Sequence, residues 1–395
     1  MFATVGLSLF SLAGCSTSSP RTIELGVDLP LSGVDGASAI PARDAVALAI
    51  EQANKRGLPG GFRIALDDLD DTVGGKHDPA QGASNIKTFV ADPAVLAVVG
   101  PINSNVAKAE IPISNVAGLA LLTMGASAIE LTRGPAASAL RIGRPARATF
   151  FRLCAADDQQ GGVSAQYALR LGLRRVFIID DNESYGRGVA DVFSSAFAAG
   201  GGHVLGREHL TAFALDYKAL LTKVKENDPD VIFFGGIVST GGAILRKQMA
   251  DVGLGQVPYF GGDGLSSPQY VPLAGAAADG TYFTAVAPDA GHFAPARAFF
   301  TAYRARYGVA AGNYGPASFA AAQVAIAAIA AVLAVHPDRM PTRDEVLARI
   351  AATSKLTTAV GPVTFDPTGD LRHATISLYE IRTGRFEFVQ QSSAP

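Results

Sequence analysis

The sequence predicts an α/β protein made of two lobes, each a doubly wound parallel sheet. Three observations carry this reading. At 395 residues the chain exceeds one ordinary core, and 48% hydrophobic with 17% charged residues suits a globular chain with large buried sheets. Beyond Thr22, short apolar runs alternate with helical patterns, as expected when parallel strands are covered on both faces. A second series of the same kind begins near Phe151 with no Pro-, Ser- or Gly-rich linker before it. Several crossings between the lobes are therefore expected, rather than one flexible tether.

In the first series, strands are expected at 23–29, 63–68, 95–100 and 119–124. Pro41 reads as the first turn of a helix whose apolar face is Ala42, Ala45, Val46, Ala49, Ile50 and Ala53, with Gly57 as its stop. In the second series, strands are expected at 176–180, 203–209, 231–234 and 259–260. Between them, Val189, Val192, Phe193 and Phe197 recur at helical spacing, as do Tyr217, Leu220, Leu221 and Val224. Later strands are expected at 282–286, 363–365 and 375–381, with a short helix at 344–350. The Ala-rich stretch 318–335 resembles a membrane span in hydropathy. It draws that hydropathy from Ala, contains Gln323 and lacks flanking aromatic or basic belts, so a buried helix is expected.

Composition excludes several function classes. Lys+Arg 33 against Asp+Glu 35 leaves no basic surface for nucleic acid. Trp is absent and aromatics are 8%, which argues against a stacked sugar site. The six His show no metal-ligand spacing, no Gly-x-Ser-x-Gly elbow follows a strand, and the paired glycines lack the Lys-Ser/Thr of a phosphate loop. No enzyme, cofactor or metal is expected.

The N-terminus carries a separate signal. Residues 2–14 are apolar, uncharged and too short for a permanent span of ~20 residues. They end Leu12-Ala13-Gly14-Cys15, like a bacterial lipobox, making Cys15 the expected lipidation site and 16–21 a polar tether. No Lys or Arg precedes the apolar run, as would follow if the start codon lay upstream. The other cysteine, Cys154, then has no partner for a disulfide.

The candidate site consists of small polar residues at strand ends. Ser104 follows Gly100-Pro101-Ile102-Asn103 and opens a helix, whose free N–H groups and dipole favour a carboxylate. Gly125-Ala126-Ser127 follows the next strand and offers backbone groups and a hydroxyl. Together they stand at the carboxyl ends of a parallel sheet, where open α/β sheets bind ligands.

Those residues also carry a resemblance. From about Thr22 to Val389 the chain resembles the leucine/isoleucine/valine-binding protein family, the type I periplasmic binding fold. The matching stretches are Leu31-Ser32-Gly33, Asp70-Asp71 with Asp78-Pro79, the Gly100 to Ser104 turn, Gly125-Ala126-Ser127 with Glu130-Leu131-Thr132, Tyr185-Gly186, Gly235-Gly236 before Leu245-Arg246, Gly262-Asp263-Gly264, and Gly361-Pro362 with Phe365-Asp366 and Gly369-Asp370. The resemblance implies two lobes joined by three crossing segments: 22–152 with 283–357, and 153–282 with 358–391. It implies an extracytoplasmic solute-binding subunit of an ABC importer for an amino acid or similar small polar acid, monomeric and working with a membrane permease. A ligand sensor of the same fold is the alternative.

In that family's pattern, Ser104 and Ser127 resemble the hydroxyls that hold the amino acid, with Gly125 and Ala126 adding backbone groups. Tyr185 resembles the tyrosine that closes over the ligand, and Asp263 the acid that meets the ammonium. Three positions depart from the pattern. Ile237 replaces an aromatic, only small residues occupy 35–39 where a large one is usual, and Asp263 is one methylene shorter than the usual Glu. Thr72 and Asn103 stand where some relatives place a disulfide. A roomier pocket, and a solute other than Leu, Ile or Val, is expected.

If Cys15 is acylated, the protein will fractionate with membranes and incorporate labelled palmitate, and Cys15→Ala will abolish the label. A soluble wild-type protein whose mature N-terminus lies beyond Cys15 would contradict the expectation.

Overall fold

A computed structural model describes residues 21–289 and 293–393. Cys15 lies outside the described residues. The first sheet runs Arg63–Asp70, Thr22–Leu29, Val95–Val99, Ala120–Thr123, Phe150–Arg152, all parallel. The second runs Arg385–Ser393, Thr375–Arg382, Thr281–Ala285, Tyr259–Gly261, Val231–Gly235, Arg175–Asp180, His203–His209, and its first two strands are antiparallel to their neighbours.

The strands are apolar without interruption because both faces are covered. In Arg175–Asp180, Val176 and Ile178 pack with Val189, Phe193 and Phe197 on one face. Phe177 and Ile179 pack with Leu221, Leu245 and Met249 on the other. Val231 to Phe234 alternates between the same two clusters. In the first lobe, Val95 and Val98 meet Ile86, Phe89 and Ile111, while Leu96, Ala97 and Val99 meet the opposite layer.

That opposite layer contains Gly315–Val335, the one helix among the described residues long and apolar enough to cross a membrane. It lies against helix Gly36–Arg56. Ala45 and Ala49 of one helix and Ala321 and Ala325 of the other are all buried in this core. Small side chains let the two backbones approach, so the hydropathy belongs to a core helix.

Between the sheets the chain crosses three times, at 153–156, after Ala285 and at 366–374. The second crossing follows Ala285 rather than residue 282, because Thr281–Ala285 pairs wholly within the second sheet. Likewise Leu356–Thr358 and Gly361–Val363 form a hairpin, and Val363 and Phe365 sink into the first lobe's core. Residues 358–365 therefore pack with the first lobe, not the second as expected from sequence.

Two further differences have clear causes. The first helix starts at Gly36, so Pro41 sits in its second turn rather than its first. Gly36-Ala37-Ser38 carries no apolar period that would mark the start. Strand Arg385–Ser393 was not foreseen, since it is a partly exposed edge with mixed polarity. Its turn is held by Asp279, which accepts the N–H groups of Thr383 (3.0 Å) and Gly384 (2.8 Å).

One buried cation ties the third crossing to the first lobe. Arg152 is fully buried at the end of the first sheet. Its Nε donates to Asp370 Oδ1 at 2.9 Å, Nη1 donates to the Ser127 carbonyl at 2.5 Å, and Nη2 donates to the Thr132 hydroxyl. Thr132 in turn donates to Asp370 Oδ2 at 3.0 Å. Removing one partner of a buried pair strands the other charge, which costs about 3–5 kcal/mol. Asp370→Ala is expected to lower the unfolding free energy by that amount in urea titrations, and Asp370→Asn by less.

Candidate functional site

The carboxyl ends of both sheets face one cleft, and the two lobes touch across it. Two adjoining spaces open in the cleft, sharing Ile102, Asn103, Ile237, Asp263, Gly264 and Tyr314 as walls. Ser104 opens the helix Ser104–Ala117 and borders the first space. Its Oγ accepts the Ala128 N–H at 3.3 Å, which leaves its own proton for a ligand oxygen. Gly125 stands beside it; the N–H groups of Gly125 and Ala126 donate to Thr123 Oγ1 at 3.1 and 2.8 Å.

Ala126 and Ser127 belong to the layer behind. Both are fully buried, and neither borders the two spaces. Ser127 Oγ accepts from Gln160 Nε2 at 3.4 Å, and Gln160 Nε2 also donates to Asp157 Oδ1 at 3.1 Å. Gln160 Oε1 accepts the Asp263 N–H at 3.0 Å. Ser127 thus reaches the cleft only through Gln160. Asp157, buried without a cation of its own, is pushed up to about 7.

From the second lobe, Tyr185, Ile237 and Asp263 border the cleft. Tyr185 sits in the first turn of helix Ser184–Ala199, and its hydroxyl accepts the Gly264 N–H at 3.2 Å. A Cβ on Gly262 would lie 2.1 Å from that hydroxyl, so the Gly-Asp-Gly turn is what lets tyrosine and aspartate share this corner. Asp263 is almost wholly buried. Its Oδ2 accepts the Tyr314 hydroxyl at 3.0 Å, while Oδ1 has no partner. Burial raises its carboxyl pKa, and the nearby polar groups of Gln160, Tyr185 and Tyr314 pull the other way.

Sequence reasoning missed several cleft residues. Tyr314, from the first lobe, stands just before Gly315–Val335 and carries no motif of its own. Asn103 borders both spaces, and its Oδ1 is buried without a partner. Asp181 and Glu183 lie just before the Tyr185-Gly186 pair that resembles the family, and their acidity was the available signal. Asp181 accepts from Thr240 Oγ1 at 2.8 Å and, through burial, is pushed up to about 7.

His77 was also missed, and it spans the lobes. It is carried by the hairpin Thr72–Val73 and Lys76–His77, whose two-residue turn, Gly74 (φ 58°) and Gly75 (φ 75°), only glycine adopts readily. His77 Nδ1 faces Asp35 Oδ2 at 3.2 Å and Nε2 faces Glu183 Oε2 at 2.9 Å. Burial alone would push the imidazole down, but the hydrogen bonds and charges of Asp35 and Glu183 outweigh it and hold the pKa at about 10. Nearby, Asn105 donates to Glu183 at 3.3 Å, Ser239 donates to Asp35 at 3.0 Å, and Ser38 donates to Ser267 at 3.3 Å. Each of these joins one lobe to the other.

The chain matches the periplasmic binding protein family over residues 22–385. It is 31% identical to the Leu/Ile/Val-binding protein BraC3 of Rhizobium johnstonii, covering 92% of each chain. The chain belongs to this family. Its type I two-lobed fold is shared with LivJ from Streptococcus pneumoniae, a branched-chain amino acid transporter substrate-binding protein solved with isoleucine (TM-score 0.80, 24% identity, 95% and 99% of the two chains covered). An ABC transporter solute-binding protein from R. palustris solved with benzoate also shares the fold (TM-score 0.77, 20% identity, 94% and 96% covered). The family is one of solute-binding proteins rather than enzymes, and points to an extracytoplasmic location.

The His77 bridge gives a pH dependence of definite sign. The imidazole's pKa is raised from its ordinary 6.5 to about 10 in the folded, touching lobes. Its contribution is fully present below about pH 6.5 and is lost as pH rises through about 10. The thermal midpoint is expected to fall across that window, and His77→Gln is expected to flatten the slope there. An unchanged slope in His77→Gln would show that other groups set it.

Proposed function

We propose that this chain is the extracytoplasmic solute-binding subunit of an ABC importer. In this reading it is a monomer tethered through lipid on Cys15, captures an amino acid or similar small polar acid in the cleft, and delivers it to a membrane permease. The observation that carries the reading is Asp263 Oδ1, a buried acceptor without a partner, in the same cleft as Ser104 at a helix N-terminus. A zwitterion supplies both missing partners, its ammonium for Asp263 and its carboxylate for Ser104 and the first N–H groups of the helix. Tyr185 and Ile237 close over it from the second lobe. Capture then needs no chemistry: a ligand that touches both lobes favours the closed arrangement by its differential affinity.

The benzoate-bound relative supports a second reading, in which the solute is a plain carboxylate. Such a ligand would satisfy Ser104 and leave Asp263 unmet. Calorimetry on Asp263→Asn separates the two. If an amino acid is the solute, the variant is expected to lose roughly 10- to 150-fold in affinity for it, the range of a charged hydrogen bond of about 1.5–3 kcal/mol. Affinity for benzoate is expected to change little. Equal amino-acid affinity in wild type and variant would remove Asp263 from the site.

A further inference from the structure

Resting on the amino-acid reading, the walls of the second space narrow the solute class. If the carboxylate lies at Ser104 and the ammonium at Asp263, the side chain extends into the space bordered by Pro30, Ile102 and Val238. Those three residues form an apolar sleeve. Ile237 extends that apolar wall, and a polar wall of Asp35, Ser38, Ser266 and Ser267 stands with it. A leucine, isoleucine or valine side chain meets the apolar wall but offers the carboxylate and hydroxyls nothing in place of the water it displaces.

The charge balance points the same way. The described residues bordering the two spaces include Asp35, Asp181, Glu183 and Asp263 but neither Lys nor Arg. The cation that touches this set, His77, is already divided between Asp35 and Glu183. Both of Asp35's side-chain hydrogen bonds, from His77 and Ser239, fall on Oδ2, so Oδ1 retains its acceptor capacity. The buried side-chain atoms on these walls that lack a partner, Asn103 Oδ1 and Asp263 Oδ1, are acceptors as well. A ligand rich in donors and positive charge satisfies all of these; an acidic side chain satisfies none.

We propose that the cleft selects an α-amino acid whose side chain is a short aliphatic stem ending in a cationic donor. The stem lies between Ile102, Val238 and Pro30, and the head meets Asp35 with Ser38 and Ser267 beside it. Asp35 is then a specificity-determining residue as well as one end of the His77 bridge.

The test uses protein stripped of ligand by unfolding and refolding, titrated calorimetrically with L-ornithine, L-norvaline, L-leucine and L-glutamate. Ornithine and norvaline share a stem and differ by the terminal ammonium. Ornithine is expected to bind at least tenfold more tightly than norvaline, and glutamate most weakly. In Asp35→Asn the ornithine-to-norvaline ratio is expected to collapse to about threefold or less. Ser267→Ala, which leaves the His77 bridge intact, is expected to lower the ratio in part. Norvaline affinity in each variant registers any general loss of lobe closure, so the ratio reports the head-group contact. The proposal is overturned if norvaline or leucine matches ornithine in wild type, or if the ratio survives Asp35→Asn. Binding of benzoate with none of the four amino acids would overturn the amino-acid reading and this proposal with it; leucine binding tightly in preference to ornithine would overturn this proposal alone.

Discussion

A parallel strand of uninterrupted apolar residues cannot leave either face to water, and the rest of this structure follows from that constraint. Each sheet must be wrapped on both sides, so helices fall on alternate faces and the loops that join strand to helix gather at the strands' carboxyl ends. Those loops escape the packing demand. They can carry glycines, serines and acids that a core would reject. Two such ends set opposite each other make a cleft whose walls are polar and whose supports are rigid. The Phe193, Phe233 and Phe197 stack on one side of the second sheet shows how firmly the support is fixed, with Phe193 and Phe233 centroids 3.9 Å apart.

The cleft concentrates acidic side chains. Asp181 and Asp263 on its walls, and Asp157 behind them, are buried, and the loss of water raises their pKa values. At the end of the first sheet a buried charge is answered: Arg152 meets Asp370, Thr132 and the Ser127 carbonyl. Asp35 and Glu183, which also border the cleft, raise His77 so that it holds the lobes together.

Closure and specificity share residues here. Asp35 faces both the second space and His77, while Glu183 faces both the first space and His77. A ligand that draws on either carboxylate therefore acts on the same groups that join the lobes. This couples occupancy to lobe contact without any hinge-specific device, through electrostatics at the mouth of the cleft.

By itself the sequence determined the fold class, the two series of elements and most strand positions, because burial on both faces writes continuous apolar runs and helical spacing into the chain. The family resemblance added Ser104, Gly125, Tyr185, Ile237 and Asp263, and the structure brings all five to one cleft. Ala126 and Ser127 were legible as neighbours but lie one layer behind it. Only the tertiary structure could place Tyr314, which is 51 residues from its partner Asp263, and His77, which is 106 residues from Glu183. It also decided that residues 358–365 pack with the first lobe and that Pro41 lies in the second turn of its helix rather than the first. These depend on which surfaces meet after the chain has crossed three times. A lone histidine or tyrosine in a loop carries no period, and its role comes from the opposite lobe.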